Sequence, residues 1–272
     1  MKYFLLSVSK NEKLKSVNIG DYVQALASAQ YYPRVDGFLD RDEDLKDYDG
    51  EEAKMIMNGW YMHNPKNWPP SSKINPLFVA FHLNLLAKKE LTSPESIEYL
   101  KSHEPIGCRD YDTMNTLKSY GIGAYFSGCM TLTLGKTFKT EANDGKVYIV
   151  DPKIKVKVSY VHFFFALIFA LFHFNSLKKL LSQRFLFCQM GKKRLLYIVA
   201  FFKQYSKVFD KDILLNATYL TQESPYYQDH FKDDFERLEE ARRLIKGYAK
   251  ASLVITSRIH CALPCLGVET PV

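Results

Sequence analysis

The fold is decided by the stretch that runs Leu253-Val254-Ile255-Thr256-Ser257-Arg258-Ile259-His260-Cys261-Ala262-Leu263-Pro264-Cys265. Its first three residues are branched and apolar, which favours a short buried strand. Thr256 and Ser257 are residue types that commonly cap a helix, and apolar residues then recur at helical spacing. The stretch therefore predicts a strand that leads directly into a helix, with Arg258 and His260 at the junction.

Arg258 and His260 are suited to binding and converting an anion. Ligands of α/β sheets bind beyond the carboxyl ends of the strands, where the free N–H groups of a helix's first turn favour negative charge. Arginine binds phosphate or carboxylate with two parallel hydrogen bonds, and histidine transfers protons near neutral pH. A simpler interpretation also fits, in which Arg258 forms a surface ion pair and His260 is a histidine at a helix terminus.

The same order of elements occurs a second time. Residues 105–108 predict a short strand, Arg109 follows it, and Asp110 is the expected N-cap of a helix over residues 111–120. Two arginines at two strand ends can face each other across a cleft and hold a doubly anionic ligand. Arg109 and Arg258 are therefore the predicted anion-binding pair.

Three further residues are candidates for contact with a ligand. Asp21 is the expected N-cap of a helix after a strand over residues 2–8 and a polar loop over residues 10–20. Together with Gly20 it can serve an acceptor's hydroxyl groups, or it can simply cap the helix. Trp60, in a predicted loop, offers a ring that suits a sugar face or that covers a hydrophobic edge.

Three blocks of the chain carry a family resemblance. They are Asn18-Ile19-Gly20-Asp21-Tyr22, Gly107-Cys108-Arg109-Asp110, and residues 256–264 followed by Thr270-Pro271-Val272. In this order they resemble the polysaccharide pyruvyl transferase family, and the block around Arg258 and His260 is the most specific. The resemblance covers most of the chain outside residues 153–211.

The resemblance implies a transferase that moves a pyruvyl group from phosphoenolpyruvate to sugar hydroxyls, forming a ketal on a surface polysaccharide precursor. The implied fold is α/β, with two Rossmann-like domains facing a cleft as in GT-B glycosyltransferases. His260 is then the expected general acid, while Arg258 and Arg109 bind phosphate and carboxylate. Asp21 is the candidate base. This scheme requires no metal and no cofactor.

Two other functions fit the sequence. A nucleotide-sugar glycosyltransferase of GT-B type would bind a nucleotide diphosphate sugar instead of phosphoenolpyruvate. A catalytically inactive assembly protein at a membrane surface is favoured if the short C-terminus is genuine.

The expected organisation has three parts. Residues 1–152 are predicted to form the first domain, residues 153–209 a basic, apolar helical insert, and residues 210–272 the start of the second domain. Family members continue beyond this point, so we expect a fragment or an incomplete second domain with an exposed sheet edge.

Charge and cysteine content narrow the class of protein. The net charge is +7, and eleven of the 37 Lys and Arg residues lie between Asp151 and Asp210, where no acidic residue occurs. Because this positive charge is restricted to one segment, a general nucleic-acid-binding surface is not expected. The five cysteines form no CxxC pair, Cys261 and Cys265 are expected to be buried thiols, and no signal peptide is recognisable, which together predict a cytoplasmic protein.

The basic segment also contains an uncharged run over residues 158–175 and a second apolar patch over residues 195–202. Basic and aromatic residues together are typical of a helix that lies on anionic lipid. A helical hairpin buried between the domains and a short membrane-spanning helix are the alternatives. Surface attachment would place the enzyme on the inner face of the membrane, beside a lipid-linked saccharide acceptor.

The other element predictions are less specific. They comprise a strand over residues 35–39, a solvated acidic run over 40–52, a helix opened by Pro76 and running to Leu85, a strand over 213–215, a loop over 219–227, and a helix over 233–249 with Phe235 inward. Gln222, in that loop, lies near a point where some relatives carry histidine.

Overall fold

The computed structural model describes residues 1–8 and 16–272 of the chain. The predicted loop over residues 10–20 lies outside the described residues up to residue 15, and its remainder is not a loop as predicted, because residues 17–18 form a strand and residues 19–20 begin a helix. The protein is α/β, and its larger sheets are parallel. The strands of the described residues are β1 Lys2–Ser7, β2 Val17–Asn18, β3 Gly37–Asp40, β4 Ala53–Ile56, β5 Gly59–Tyr61, β6 Ile74–Leu77, β7 Phe81–Leu83, β8 Ile106–Cys108, β9 Ala124–Phe126, β10 Val147–Val150, β11 Thr218–Leu220, β12 Glu223–Ser224 and β13 Leu253–Thr256.

The α-helices of the described residues connect and cover these strands. They are α1 Ile19–Ala29, α2 Lys88–Leu91, α3 Pro94–Lys101, α4 Tyr111–Ser119, α5 Gly135–Phe138, α6 Tyr160–Phe172, α7 Phe174–Leu181, α8 Arg194–Tyr205, α9 Lys211–Asn216, α10 Pro225–His230, α11 Asp234–Tyr248 and α12 Ile259–Gly267. Short 3₁₀ helices occupy residues 65–67, 85–87, 130–134 and 188–193.

The N-terminal half contains two parallel sheets that adjoin each other, in the orders β3-β1-β4-β6 and β5-β7-β8-β9. Backbone hydrogen bonds bridge the break between them: the Met57 N–H donates to the Leu77 carbonyl at 2.9 Å, and the N–H of Gly107 in β8 donates to the carbonyl of Phe78, the residue after β6, at 3.0 Å. All pairings are parallel. The carboxyl ends of these strands therefore point to the same edge, which is where the predicted site residues follow them.

The predicted helix opened by Pro76 is wrong. Pro76 lies in β6, in register with Met55 of β4, and the next strand, β7, begins at Phe81. Phe78 and Phe81 are buried in one core cluster with Met55. A proline can begin a helix or lie in a strand, and the local sequence does not distinguish the two. Here the pairing of β6 with β4 stabilises the strand.

The C-terminal half contains a parallel sheet in the order β11-β10-β13. Strand β10 pairs with β11 and β13, so it belongs to the C-terminal sheet although its residues lie within the predicted first domain, residues 1–152. The predicted strand over residues 213–215 is part of helix α9, and the predicted loop over 219–227 contains the end of β11, all of β12 and the first half of α10. Beside β13, the Val254 N–H donates to the Pro271 carbonyl at 2.9 Å.

Segment 153–209 forms a helical layer on the C-terminal sheet. The apolar side of α8 is buried with Ile149 and Tyr219, so the second apolar patch belongs to the core. Helix α6 differs, because among its residues only Ala166 is buried. No single helix in the described residues is long and apolar enough to cross a membrane; α6 and α7 satisfy that test only together, and they are bent by 109°.

The two halves share a core between α1, α11 and α12. Helix α11 begins after its N-cap Asp233, and its Asp234 accepts a hydrogen bond from the Tyr22 hydroxyl at 2.6 Å. Phe235 points outward, contrary to the prediction, although its ring still packs edge-on against Phe38. A short antiparallel ladder between β2 and β12 also joins the halves.

Candidate functional site

A cavity of about 330 Å³ lies where the carboxyl ends of the strands from both halves converge. Arg109 enters it after β8, Arg258 after β13, and Trp60 from β5. The residues that line it are Asn18, Asp21, Arg41, Trp60, His63, Arg109, Gln222, Arg258, Ile259 and His260. The predicted ligand-contacting side chains thus share one cavity, and Gly20 lies directly behind His260.

The helix caps at the site differ from those predicted. Asn18, not Asp21, caps α1, since its side chain accepts a hydrogen bond from the Gly20 N–H at 3.0 Å. This leaves the Asp21 carboxylate, in the first turn of α1, free of the capping role. The cap position of α12 is taken by Arg258 in place of Thr256 or Ser257, and no side chain caps that helix.

Asp21 lies in a network of polar side chains. Its Oδ1 accepts a hydrogen bond from Gln24 at 3.0 Å and lies 3.9 Å from the Arg41 guanidinium. Gln24 also accepts a hydrogen bond from Arg109 at 3.4 Å, so Gln24 links Asp21 to Arg109. Burial raises the pKa of Asp21, against the opposing effect of Arg41 and Arg109. A carboxylate with a raised pKa is better able to accept a proton from a substrate.

Arg41 and Asp42 were missed by the sequence analysis, which assigned them to a solvated acidic run. Both are buried, and Asp42 is 0% exposed. Asp42 accepts hydrogen bonds from the backbone N–H groups of His63 at 2.6 Å and Asn64 at 3.1 Å, and from Arg41 at 3.0 Å. Arg41 in turn lies 5.3 Å from the ring of Trp60, which is part of β5 and not of a loop as predicted. The sequence feature that could have identified Arg41 as a site residue is its position immediately after a strand.

The two predicted anion-binding arginines differ in their partners. Among the described residues, Arg109 has no carboxylate within ion-pair distance, and burial lowers its pKa. Arg258 forms two ion pairs: its Nε atom lies 2.9 Å from Asp151 Oδ2, and its Nη1 atom lies 2.8 Å from Glu223 Oε2. Burial opposes the charge on Arg258, but these carboxylates outweigh it and raise its pKa. Arg258 therefore forms ion pairs and also lines the cavity.

His260 is neutral in this arrangement. Burial, with a smaller contribution from the positive charge of Arg109, lowers its pKa from 6.5 to about 3. Its Nε2 atom is buried and has no hydrogen-bond partner in the described part of the chain. Gln222 holds the adjacent backbone by donating to the His260 carbonyl at 3.2 Å. Such an imidazole can donate a proton only after a negative charge arrives beside it.

The family model for polysaccharide pyruvyl transferase matches residues 18–272, a range that includes every residue lining the cavity. The chain belongs to the polysaccharide pyruvyl transferase family. It is therefore a transferase enzyme, and the family's activity is pyruvyl transfer to polysaccharide. No curated protein and no solved structure matches the chain.

The cavity of this pyruvyl transferase is rich in cations. Arg41, Arg109 and Arg258 enter it from three different strand ends, and Asp21 is the carboxylate among its lining residues. Cations in a partly buried site bind anionic groups strongly because water screens them little. The arrangement can hold an anion next to an imidazole and a carboxylate.

Metal-ligating side chains are not clustered in the described residues of the pyruvyl transferase, where no group of three or more His, Cys, Asp or Glu could hold an ion. Cys261 and Cys265 are buried free thiols in α12, as predicted.

Proposed function

We propose that this pyruvyl transferase moves the pyruvyl group of phosphoenolpyruvate to two hydroxyls of one sugar in a lipid-linked polysaccharide precursor, forming a ketal. The observation that carries this proposal is Arg109, a partly buried guanidinium with no carboxylate partner among the described residues, in one cavity with Arg258 and His260. Phosphoenolpyruvate carries a phosphate and a carboxylate, which match two arginines. The affinity of a buried cation for an anion is highest when no internal partner competes.

Binding of this donor would prepare His260 for catalysis. The negative charges of the donor favour the protonated imidazole, so they raise the pKa of His260 from its ligand-free value of about 3. The protonated ring then donates to the methylene carbon, which becomes a methyl group, and C2 takes on positive charge. Arg109 and Arg258 stabilise the phosphate as it leaves.

The sugar hydroxyls supply the two new bonds. The first hydroxyl oxygen bonds to C2 and its proton passes to Asp21. The phosphate leaves with the electron pair of its C2–O bond, the second hydroxyl oxygen bonds to C2, and the proton of that hydroxyl leaves with the phosphate. Proton exchange with water restores His260 and Asp21. Trp60, in the same cavity, supports the acceptor sugar through its ring face.

We also propose a GT-B-like arrangement of two domains around this site. Its support is that two separate sets of parallel strands direct their carboxyl ends to one cavity. One set comprises β1 and β3–β9, and the other comprises β10, β11 and β13. Ligands of open α/β sheets bind at such strand ends.

Helix α6 supports a further part of the proposal, contact with a membrane surface. Its exposed residues are large and apolar, with Tyr160 96% exposed and Phe172 81% exposed. Lys153, Lys155 and Lys157 precede it, and segment 153–209 contains no acidic residue. An apolar face with basic flanks fits anionic lipid, whereas two copies of this basic face would repel each other.

Calorimetric titration with phosphoenolpyruvate tests the donor assignment. Losing one charge-assisted contact costs about 1.5–3 kcal/mol, so Arg109→Ala should weaken binding roughly ten- to hundredfold. Arg242→Ala, at an arginine paired with Glu239 on the outer side of α11, is the matched control and should bind normally. Equal affinity in wild type and Arg109→Ala, or binding of a nucleotide diphosphate sugar in place of phosphoenolpyruvate, would refute the assignment.

A second variant separates binding from chemistry. His260→Ala should bind phosphoenolpyruvate nearly as well as wild type, while kcat falls about a hundredfold or more if the imidazole is the proton donor. NMR detection of the new ketal methyl group provides the assay of turnover.

A further inference from the structure

A second cavity, of about 370 Å³, lies on the other side of Arg258 from the first. Asp151, Thr221 and Ser257, which follow β10, β11 and β13, form one wall, and Phe185 with residues 187–190 of segment 153–209 forms the other. Arg258 is the residue that lines both cavities. The two spaces are therefore neighbours at the same strand ends.

The second cavity is less cationic than the first, because its two carboxylates are matched by Lys153 and Arg258. Its walls carry the carboxylates of Asp151 and Glu223, both paired with Arg258. The first cavity, with three arginines and one carboxylate, attracts an anionic donor more strongly, so phosphoenolpyruvate belongs there. The carboxylates of the second cavity accept hydrogen bonds from hydroxyl groups, and the partly exposed Glu223 side chain is accessible for this.

Aromatic rings complete the lining. Phe185 and Phe187 lie in the wall opposite the carboxylates. The Phe185 ring is only partly buried and packs against Tyr226 with centroids 5.6 Å apart, which holds it in place. A ring facing polar acceptors is the combination that fits a pyranose, since one face of the sugar is apolar and its rim carries hydroxyls.

We propose that the second cavity binds the sugar residue adjoining the one that receives the pyruvyl group. The inference rests on the proposed function. The reactive sugar lies in the first cavity with Trp60 and the donor, and its neighbour, an uncharged pyranose, passes Arg258 and lies between Glu223 and Phe185. The enzyme thereby recognises at least a disaccharide, and this second contact contributes to the choice of acceptor without touching the reacting atoms.

The test compares saccharides of different length. Saturation-transfer NMR in the presence of phosphoenolpyruvate would measure binding of the methyl glycosides of glucose, galactose and mannose, and of cellobiose, lactose and mannobiose. Wild type should bind its preferred disaccharide more tightly than the corresponding monosaccharide, roughly five- to tenfold if one ring stacks on Phe185. Phe185→Ala should remove that preference and leave monosaccharide binding unchanged.

Controls distinguish this inference from the proposed function. Phe185→Leu retains apolar packing against Tyr226 but lacks the ring, so it should lose the preference while keeping the thermal stability of wild type. Calorimetric binding of phosphoenolpyruvate should be unchanged in both Phe185 variants and weakened only in Arg109→Ala. A disaccharide preference that survives in Phe185→Ala and Phe185→Leu, or its absence in wild type, would overturn the inference while the donor assignment stands.

Discussion

Gly20 and His260 are in direct contact across the two halves of the protein. A β-carbon placed on Gly20 would lie 3.2 Å from the β-carbon of His260 and 3.4 Å from its Nδ1 atom. The first of these distances is shorter than an ordinary van der Waals contact, and the Oδ1 atom of the capping residue Asn18 would lie closer still, at 2.9 Å. The lack of a side chain at position 20 therefore allows the imidazole ring to occupy its place at the cavity wall.

Gly20→Ala tests this contact. Alanine is the better helix former by up to about 1 kcal/mol, but its methyl group would displace the His260 ring, and misplacing a catalytic group by about 1 Å can cost a hundredfold in rate. We expect kcat per folded molecule to fall by about that factor. The melting temperature should also fall, because the methyl group would displace the Asn18 side chain that caps α1. Gly247→Ala, whose new methyl group would have its nearest neighbour 3.4 Å away, is the control. Normal turnover in Gly20→Ala would argue against a catalytic His260.

His260 should also make stability dependent on pH. Its pKa is about 3 in the folded chain and 6.5 in the unfolded chain, so between these values the unfolded state binds more protons. Stability is then fully present above pH 6.5 and decreases as the pH falls toward 3, at no more than about 1.4 kcal/mol per pH unit from this residue.

Urea denaturation at pH 7 and pH 5 measures this dependence. His260→Asn should show a smaller loss between the two pH values than wild type, whereas His162→Gln, at an exposed position, should lose as much as wild type. The same slope in wild type and His260→Asn would contradict a buried neutral imidazole.

Both arginine junctions could be predicted because they depend on neighbouring residues. The strand before Arg109 and the capping role of Asp110 were confirmed, since a short apolar run and an Asp three residues before Thr113 act locally. The partners of Arg258 could not be predicted in this way. Asp151 is 107 positions away and meets Arg258 only because β10 and β13 are adjacent in the sheet.

The acidic run over residues 40–52 misled the sequence analysis for a related reason. Most charge runs are solvated, and the later part of this one is exposed. Its first residues directly follow β3, where the neighbouring strand ends enclose them. Composition records how many charges a segment carries, but burial depends on which strands lie beside it.

Asp42→Ala should be strongly destabilising. The change removes the acceptor for the N–H groups of His63 and Asn64 and leaves the buried Arg41 without its closest carboxylate. Loss of one partner from a buried ion pair costs about 3–5 kcal/mol. Chemical denaturation measures this cost. Asp47→Ala, in the exposed part of the same acidic run, should change stability by less than about 0.5 kcal/mol. Similar small effects in both variants would show that Asp42 does not organise the site.

Sedimentation with lipid vesicles tests the apolar face of α6. Anionic vesicles should bind the protein better than neutral ones, and the difference should shrink with added salt while an apolar contribution persists. Phe164→Ser combined with Phe172→Ser should reduce binding to both kinds of vesicle. Lys192→Gln and Lys193→Gln should each reduce anionic binding roughly fivefold. Arg194 is unsuitable for this test because its guanidinium donates a structural hydrogen bond to the Leu186 carbonyl at 3.0 Å.

The matched control for α6 lies in the other half of the protein. Leu85→Ser combined with Leu86→Ser alters two leucines that are 72% and 86% exposed and should leave vesicle binding unchanged. Absence of vesicle binding in wild type would refute membrane contact. Protein that resists extraction by high salt and alkaline wash would favour insertion of the bent α6–α7 pair.

The ladder between β2 and β12 determines how substrates can enter. In this ladder residues 17–18 pair with residues 223–224. Next to it, the Ile19 N–H donates a hydrogen bond to the Gln222 carbonyl at 2.7 Å. Separating the halves as rigid bodies would break these bonds and expose the core they share. We expect the radius of gyration from small-angle X-ray scattering to be the same with and without phosphoenolpyruvate; a contraction on binding would contradict this. Substrate exchange would then proceed by rotation of side chains at the cavity mouth, and turnover would depend little on solvent viscosity.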